Sequence, residues 1–145
     1  MKIKIIEDPD LDDDIVIYTK AISPEIERFV ASFNQVSILA QHRGADINIS
    51  VDDILFFETE SDGVVVHLEL AYYKSRYRLY SLLEVLPPQF MRISKSCIVN
   101  IDKVAGFERS ITSARTIFFI DSNKRNHVSR MYYSQFKDRL IERSL

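Results

Sequence analysis

Phe90-Met91-Arg92-Ile93-Ser94-Lys95-Ser96-Cys97-Ile98-Val99-Asn100 is the stretch whose reading decides the fold. Apolar, largely β-branched side chains share it with basic and hydroxyl ones, and Pro87-Pro88 just before it stops any preceding helix. About thirty residues later His127-Val128-Ser129-Arg130 repeats the pattern, immediately ahead of a helical periodicity. Two short strand ends are predicted to present Lys95, Ser96 and Arg130 while Ile93, Ile98, Val99 and Val128 face a core. Lysine, arginine and serine on tethered loops can grip phosphates and read base edges. A polar strand border would use the same residue types, so the pattern alone leaves both readings open.

Outward from that stretch, strand signals dominate. Ile47–Val51, Ile54–Glu58, Val64–Leu70, Arg76–Tyr80, Val104–Glu108 and Thr116–Ile120 are expected strands, with turns at Ser61-Asp62-Gly63 and Asp121-Ser122-Asn123. Ser81 is placed to cap a short helix, Leu82 to Leu86, that the two prolines end. A closing helix is expected from Arg130 to about Arg143, with Ser129 as N-cap and Tyr133, Phe136, Leu140 and Ile141 as its buried stripe. Nearer the start, Lys2–Ile6 and Asp14–Lys20 read as strands separated by the turn signal Asp8-Pro9-Asp10. Ser23-Pro24-Glu25 then opens a helix whose Ile26, Phe29, Val30 and Phe33 share one face, ending near Asn34. Val36 to Ala40 is a further expected strand, and Arg43-Gly44-Ala45 a turn. The fold class expected is mainly β (α+β): an antiparallel β fold with a short mid helix and a C-terminal helix, preceded by a small β-β-α-β unit.

Bulk properties narrow the function. The chain has 145 residues, 46% of them hydrophobic, enough for one domain plus an appendage. No apolar run is long enough for a membrane span and Met1-Lys2-Ile3-Lys4 lacks a signal-peptide core, so a cytoplasmic location is expected. Cys97 is the single cysteine and sits in an apolar run, which predicts a buried structural thiol. The net charge of −2 conceals a strong asymmetry. Residues 1–60 carry five Lys/Arg against thirteen Asp/Glu, a net −8, whereas residues 61–145 carry fourteen against eight, a net +6. A basic C-terminal part joined to an acidic front end points to a polyanion partner for the former.

Four segments occur in an order that resembles the LytTR family of DNA-binding domains. They are Val51-Asp52-Asp53-Ile54-Leu55-Phe56-Phe57-Glu58, Tyr80-Ser81-Leu82-Leu83-Glu84, the Arg92-to-Asn100 block and Val128-Ser129-Arg130-Met131-Tyr132. The resemblance runs from Ile47 onward, so residues 46–145 are expected to be a LytTR-type domain and residues 1–45 an acidic regulatory or self-association unit. It implies an elongated β fold that faces double-stranded DNA with loops in successive major grooves. Base contacts are implied at the turn after the Phe-Phe-Glu strand, here Asp62, at Lys95, and at the arginine of Val-Ser-Arg, here Arg130. Asp62 departs from the pattern, since family members can place a histidine or another donor there. A carboxylate repels phosphate but can accept from a cytosine amino group. Ser94, Ser96, Asn126 and His127 are candidate phosphate partners, with hydrogen bonds that close local turns as their alternative role. Asn100 is expected to bond backbone at a strand end. The resemblance further implies recognition of imperfect direct repeats by a homodimer on DNA, and a membrane-bound inhibitory protein as a controlling partner.

Other chemistries find little support. Asp8, Asp10 and Asp12 imitate the start of a calcium loop, but Asp13 and Thr19 occupy the positions that need glycine and glutamate. Ile3-Lys4-Ile5-Ile6-Glu7-Asp8 resembles the first strand of a phospho-receiver, a domain that often precedes LytTR domains, yet about 45 residues are too few for one. His42, His67 and His127 have no metal-ligand spacing, and three scattered glycines build no phosphate loop. No enzyme activity, metal or cofactor is expected. Two rivals stay open: a protein-interaction module on a LytTR-like scaffold, and a small-ligand sensor whose N-terminal unit holds an effector.

Overall fold

The computed structural model describes residues 2–33, 36–109 and 115–144. The chain divides into two compact units, Met1–Asn34 and Gln35–Leu145.

In the first unit, helix α1 spans Pro24–Phe33. Ser23 caps it as its position predicts: its Oγ accepts from the Ile26 N–H at 3.3 Å, and its carbonyl accepts from Glu27 N–H at 2.9 Å. Glu25 and Glu27 complement the helix dipole in the first turn. Ile26 and Phe29 are half-buried. The Phe33 side chain and the helix end at Asn34 lie outside the described residues. Asp8-Pro9-Asp10 forms the expected turn, with Asp10 N–H donating to the Asp8 carboxylate at 3.1 Å. The expected strands Lys2–Ile6 and Asp14–Lys20 are not strands. Their alternation is real, but no described neighbour supplies a hydrogen-bonding ladder, and Ile5 and Tyr18 stay 87% and 90% exposed. The β-β-α-β unit is corrected accordingly: only its helix belongs to the first unit, and its last strand joins the large sheet of the second.

That strand is β1, Ser37–His42, paired with β2, Ala45–Ser50, across the Arg43-Gly44 turn. Both turn residues have positive φ, 49° and 79°, which is the two-residue hairpin geometry that glycine eases. Strands β3 (Ile54–Glu60), β4 (Gly63–Leu68), β5 (Tyr72–Ser75), β6 (Phe90–Ser94) and β7 (Cys97–Asn100) complete a seven-stranded antiparallel sheet ordered β2-β1-β5-β4-β3-β7-β6. A second sheet orders β10 (Arg125–Val128), β9 (Arg115–Phe119) and β8 (Val104–Arg109). Helix α2 spans Leu79–Val85 and helix α3 spans Arg130–Ser144.

The expected strand Arg76–Tyr80 is also corrected. Tyr72–Ser75 pairs with β4 and β1 instead, and Leu79 opens α2 so that Leu79 and Leu82 are buried on one face. Arg78, not Ser81, takes the N-cap position, and it makes no side-chain cap bond. Strand β3 explains how one run can serve two cores. A register shift between Ile54 and Phe56 lets Ile54 and Phe57 enter the core with α2, β1 and β2, while Leu55 and Phe56 enter the other. The second core gathers Met91, Ile93, Cys97, Val99, Ile117, Val128 and Phe136, so the small sheet and α3 close over β6 and β7. In α3 the predicted stripe holds for Phe136, fully buried, and for half-buried Tyr133 and Leu140; Ile141 is 48% exposed.

Candidate nucleic-acid interface

The quoted stretch folds into the β6–β7 hairpin, with Lys95 and Ser96 as its exposed turn. Ile93 and Cys97 to Asn100 are buried, which fixes the hairpin and leaves only the turn free to reach a partner. The Arg92 guanidinium donates to the Lys95 carbonyl at 2.9 Å, and Ser96 N–H donates to Ser94 Oγ at 3.2 Å. The Ser94 and Ser96 hydroxyls are 3.3 Å apart. Both serines therefore take part in closing their own turn, and a hydroxyl so engaged keeps capacity for a further bond.

Two backbone bonds fasten this turn to its surroundings. Thr59 N–H donates to the Ser96 carbonyl at 2.8 Å, tying it to the end of β3 that leads into Ser61-Asp62. Ser129 N–H donates to the Ile93 carbonyl at 2.9 Å, tying it to the β10–α3 junction that carries Arg130. Lys95, Asp62 and Arg130, exposed and far apart in sequence, are thus attached to neighbouring backbone at one end of the sheet. Asp62 sits in the β3–β4 turn beside a groove of about 400 Å³ that Arg43, Tyr72 and Lys74 also line.

Asn126 and His127 divide differently from the sequence expectation. His127 is exposed, its Nδ1 3.2 Å from Thr116 Oγ1 across the β9–β10 ladder. Asn126 turns inward: its Nδ2 donates to Glu58 Oε1 and to Cys97 Sγ, each at 3.3 Å, and its Oδ1 accepts from His127 N–H at 2.7 Å. This amide holds β10 against β3 and β7. Asn100 does bond backbone as expected, donating to the Ile54 carbonyl at 2.9 Å and accepting from Asp102 N–H at 3.1 Å. Sequence reasoning did not single out Arg92 as a positioning group or Asn126 as an internal tie. Strand alternation puts Asn126 on the same face as Val128, which the sequence already placed toward the core, so its inward side was available in the pattern although its partners were not.

Behind the turns lies an ion network. Glu58, Glu60 and His67 offer ligand atoms within 4.8 Å of one another, a convergence two strands create and sequence spacing hides. The Lys124 ammonium lies 3.4 Å from His67 Nδ1 and also donates to the Ala71 carbonyl at 2.7 Å. An ammonium only donates, so Nδ1 accepts and the ring proton lies on Nε2, 3.6 Å from Glu60. Burial, aided by Lys124, lowers the His67 pKa against the opposing pull of Glu60. Burial, with the Glu58 charge, pushes the Cys97 thiol well up, so it stays protonated and inert.

The family model of the LytTr DNA-binding domain matches residues 45–141. The chain belongs to the LytTR family. A solved LytTr DNA-binding domain from Bacillus cereus superposes with a TM-score of 0.65 at 21% identity, covering 72% of this chain and 95% of that one. At that identity the likeness speaks for the LytTR fold, which the two antiparallel sheets and C-terminal helix reproduce. No curated protein matches the chain. Among the described residues no helix is long and apolar enough to cross a membrane.

Proposed function

We propose that this chain is a transcription regulator whose LytTR domain binds promoter DNA, reading bases with Lys95 and Arg130. The observation that carries the reading is the Ser129-to-Ile93 backbone bond, which holds the two cationic side chains' parent turns side by side. Both cations can donate to guanine O6 and N7, and Arg130 can do so with two parallel bonds, worth about 1–3 kcal/mol of discrimination. His127, Ser94 and Ser96 supply phosphate contacts around them, while Asn126 acts from inside by holding β10. Asp62 accepts from a cytosine amino group or stays clear of the duplex. Two protomers occupy an imperfect direct repeat, and the acidic first unit serves regulation or self-association. A membrane-bound inhibitory protein acting on that unit, in the cytoplasm, completes the proposed circuit.

Selection of bound fragments from a fragmented bacterial genome, followed by sequencing, tests this. The expected result is enrichment of fragments sharing two similarly oriented half-sites, bound at two chains per fragment. Recovery without any shared sequence would refute selective reading. One observation favours a second reading: Glu58, Glu60 and Asp62 place three carboxylates in the β3–β4 hairpin. A protein-interaction module on the same scaffold would bind no DNA selectively and would be indifferent to Lys95→Ala.

A further inference from the structure

Beside Arg130 the small sheet ends in a row of cations. Val128 on β10 pairs with Arg115 on β9, and Arg115 pairs with Arg109 on β8. Arg109 and Arg115 therefore stand level with the residue two positions before Arg130. Helix α3 brings Tyr133, one turn beyond Arg130, beneath them. The Arg115 guanidinium carbon lies 4.2 Å from the centre of the Tyr133 ring, and Arg109 donates to the Tyr133 hydroxyl at 3.4 Å. Two guanidinium groups thus converge on one phenol, which Phe107 steadies edge-on at 5.8 Å.

We propose that Arg109, Arg115 and Tyr133 form a phosphate grip for the DNA backbone, flanking the Arg130 contact on its β9–β8 side. The inference rests on the DNA-binding reading above and deepens it by assigning a second, sequence-independent surface. Two guanidinium groups set on one phenol present positive charge to the same side, and guanidinium forks match phosphate geometry. Stacking on Tyr133 orients Arg115 in advance, so less side-chain freedom is lost on binding. The phenol itself reports the local field: the Arg109 hydrogen bond, with Arg115 also acting, lowers its pKa. A field that stabilises phenolate there stabilises phosphate oxygens as well.

The test is the salt dependence of binding to a fluorescent mixed-sequence duplex, measured by anisotropy for wild type, Arg109→Gln, Tyr133→Phe and the Arg109→Gln/Arg115→Gln pair. Each lost phosphate contact should flatten the log–log salt slope by about 0.9. The single Arg109 variant is expected to lose about that much and the pair about twice as much. Tyr133→Phe, which keeps the ring and removes the hydroxyl, should shift affinity far less. Melting curves establish that the variants fold; Arg109 is exposed, so its substitution spares the core. An unchanged slope in a folded Arg109 variant overturns the grip and leaves the DNA-binding reading standing. A change in oligomeric state with the slope unchanged assigns the arginines to a protein contact and also overturns it. A wild type that binds no duplex removes both proposals together.

Discussion

At the residue scale, polar side chains inside the domain tie its strands together. Asn100 answers two backbone groups at once, so Asn100→Ala leaves the Ile54 carbonyl buried without that donor. A loss of about 1–3 kcal/mol is expected, read as a lower denaturation midpoint. His67 gives a pH signature. Its folded pKa lies below its ordinary 6.5, so the unfolded chain binds the proton more readily. Stability should fall as pH drops through about 6.5 and level off once the folded ring is also protonated. Urea melts across that range check the sign, and a flat profile, or one unaltered by His67→Asn, contradicts the assignment. Cys97 was legible as a buried thiol because it sits among Ile93, Ile98 and Val99. Alternation with Val128 gives the inward side of Asn126, but its partners Glu58 and Cys97, 68 and 29 residues away, were not legible.

At the element scale, agreement between sequence and structure follows how local the deciding interaction is. The Ser23 cap, the Arg43-Gly44 turn and the start of α3 are fixed by neighbours in sequence, and each forms where expected. The boundary between β5 and α2 is not: Arg76 to Tyr80 alternates well enough for a strand, and burial of Leu79 and Leu82 against a distant core decides for helix. The two front-end segments fail for the complementary reason. Alternation marks a strand's faces, but a strand also requires a partner ladder, and pairing is a property of the sheet. Gly44 gives a direct test of the local argument. At φ 79° with nothing within 4 Å of a Cβ, Gly44→Ala pays only backbone strain. About 1 kcal/mol of stability should be lost. DNA selectivity should be untouched, which binding measured at the same temperature will show.

At the scale of the whole molecule, the charge distribution and the LytTR fold lead to the same end of the second unit. Acidic residues concentrate before residue 60, and the basic excess lies after it. Lys95, Arg130 and the Arg109–Arg115 pair all come from that basic part. The fold's contribution is to draw together turns that lie between Thr59 and Arg130 in the chain, using the Thr59–Ser96 and Ser129–Ile93 bonds. Family motifs made Lys95 and Arg130 visible in the sequence because they sit inside conspicuous apolar frames. Arg109 and Arg115 lie in strands without such a frame, and only cross-strand register places them beside Arg130.

The most direct measurement is fluorescence anisotropy of the purified chain against genome-selected and mixed-sequence duplexes at two salt concentrations, with Lys95→Ala/Arg130→Ala in parallel. The account predicts that wild type prefers the selected duplex and weakens steeply with salt. The folded double variant should keep the salt dependence of its remaining contacts but lose that preference. Equal binding of both duplexes by wild type, unchanged in the variant, would contradict it.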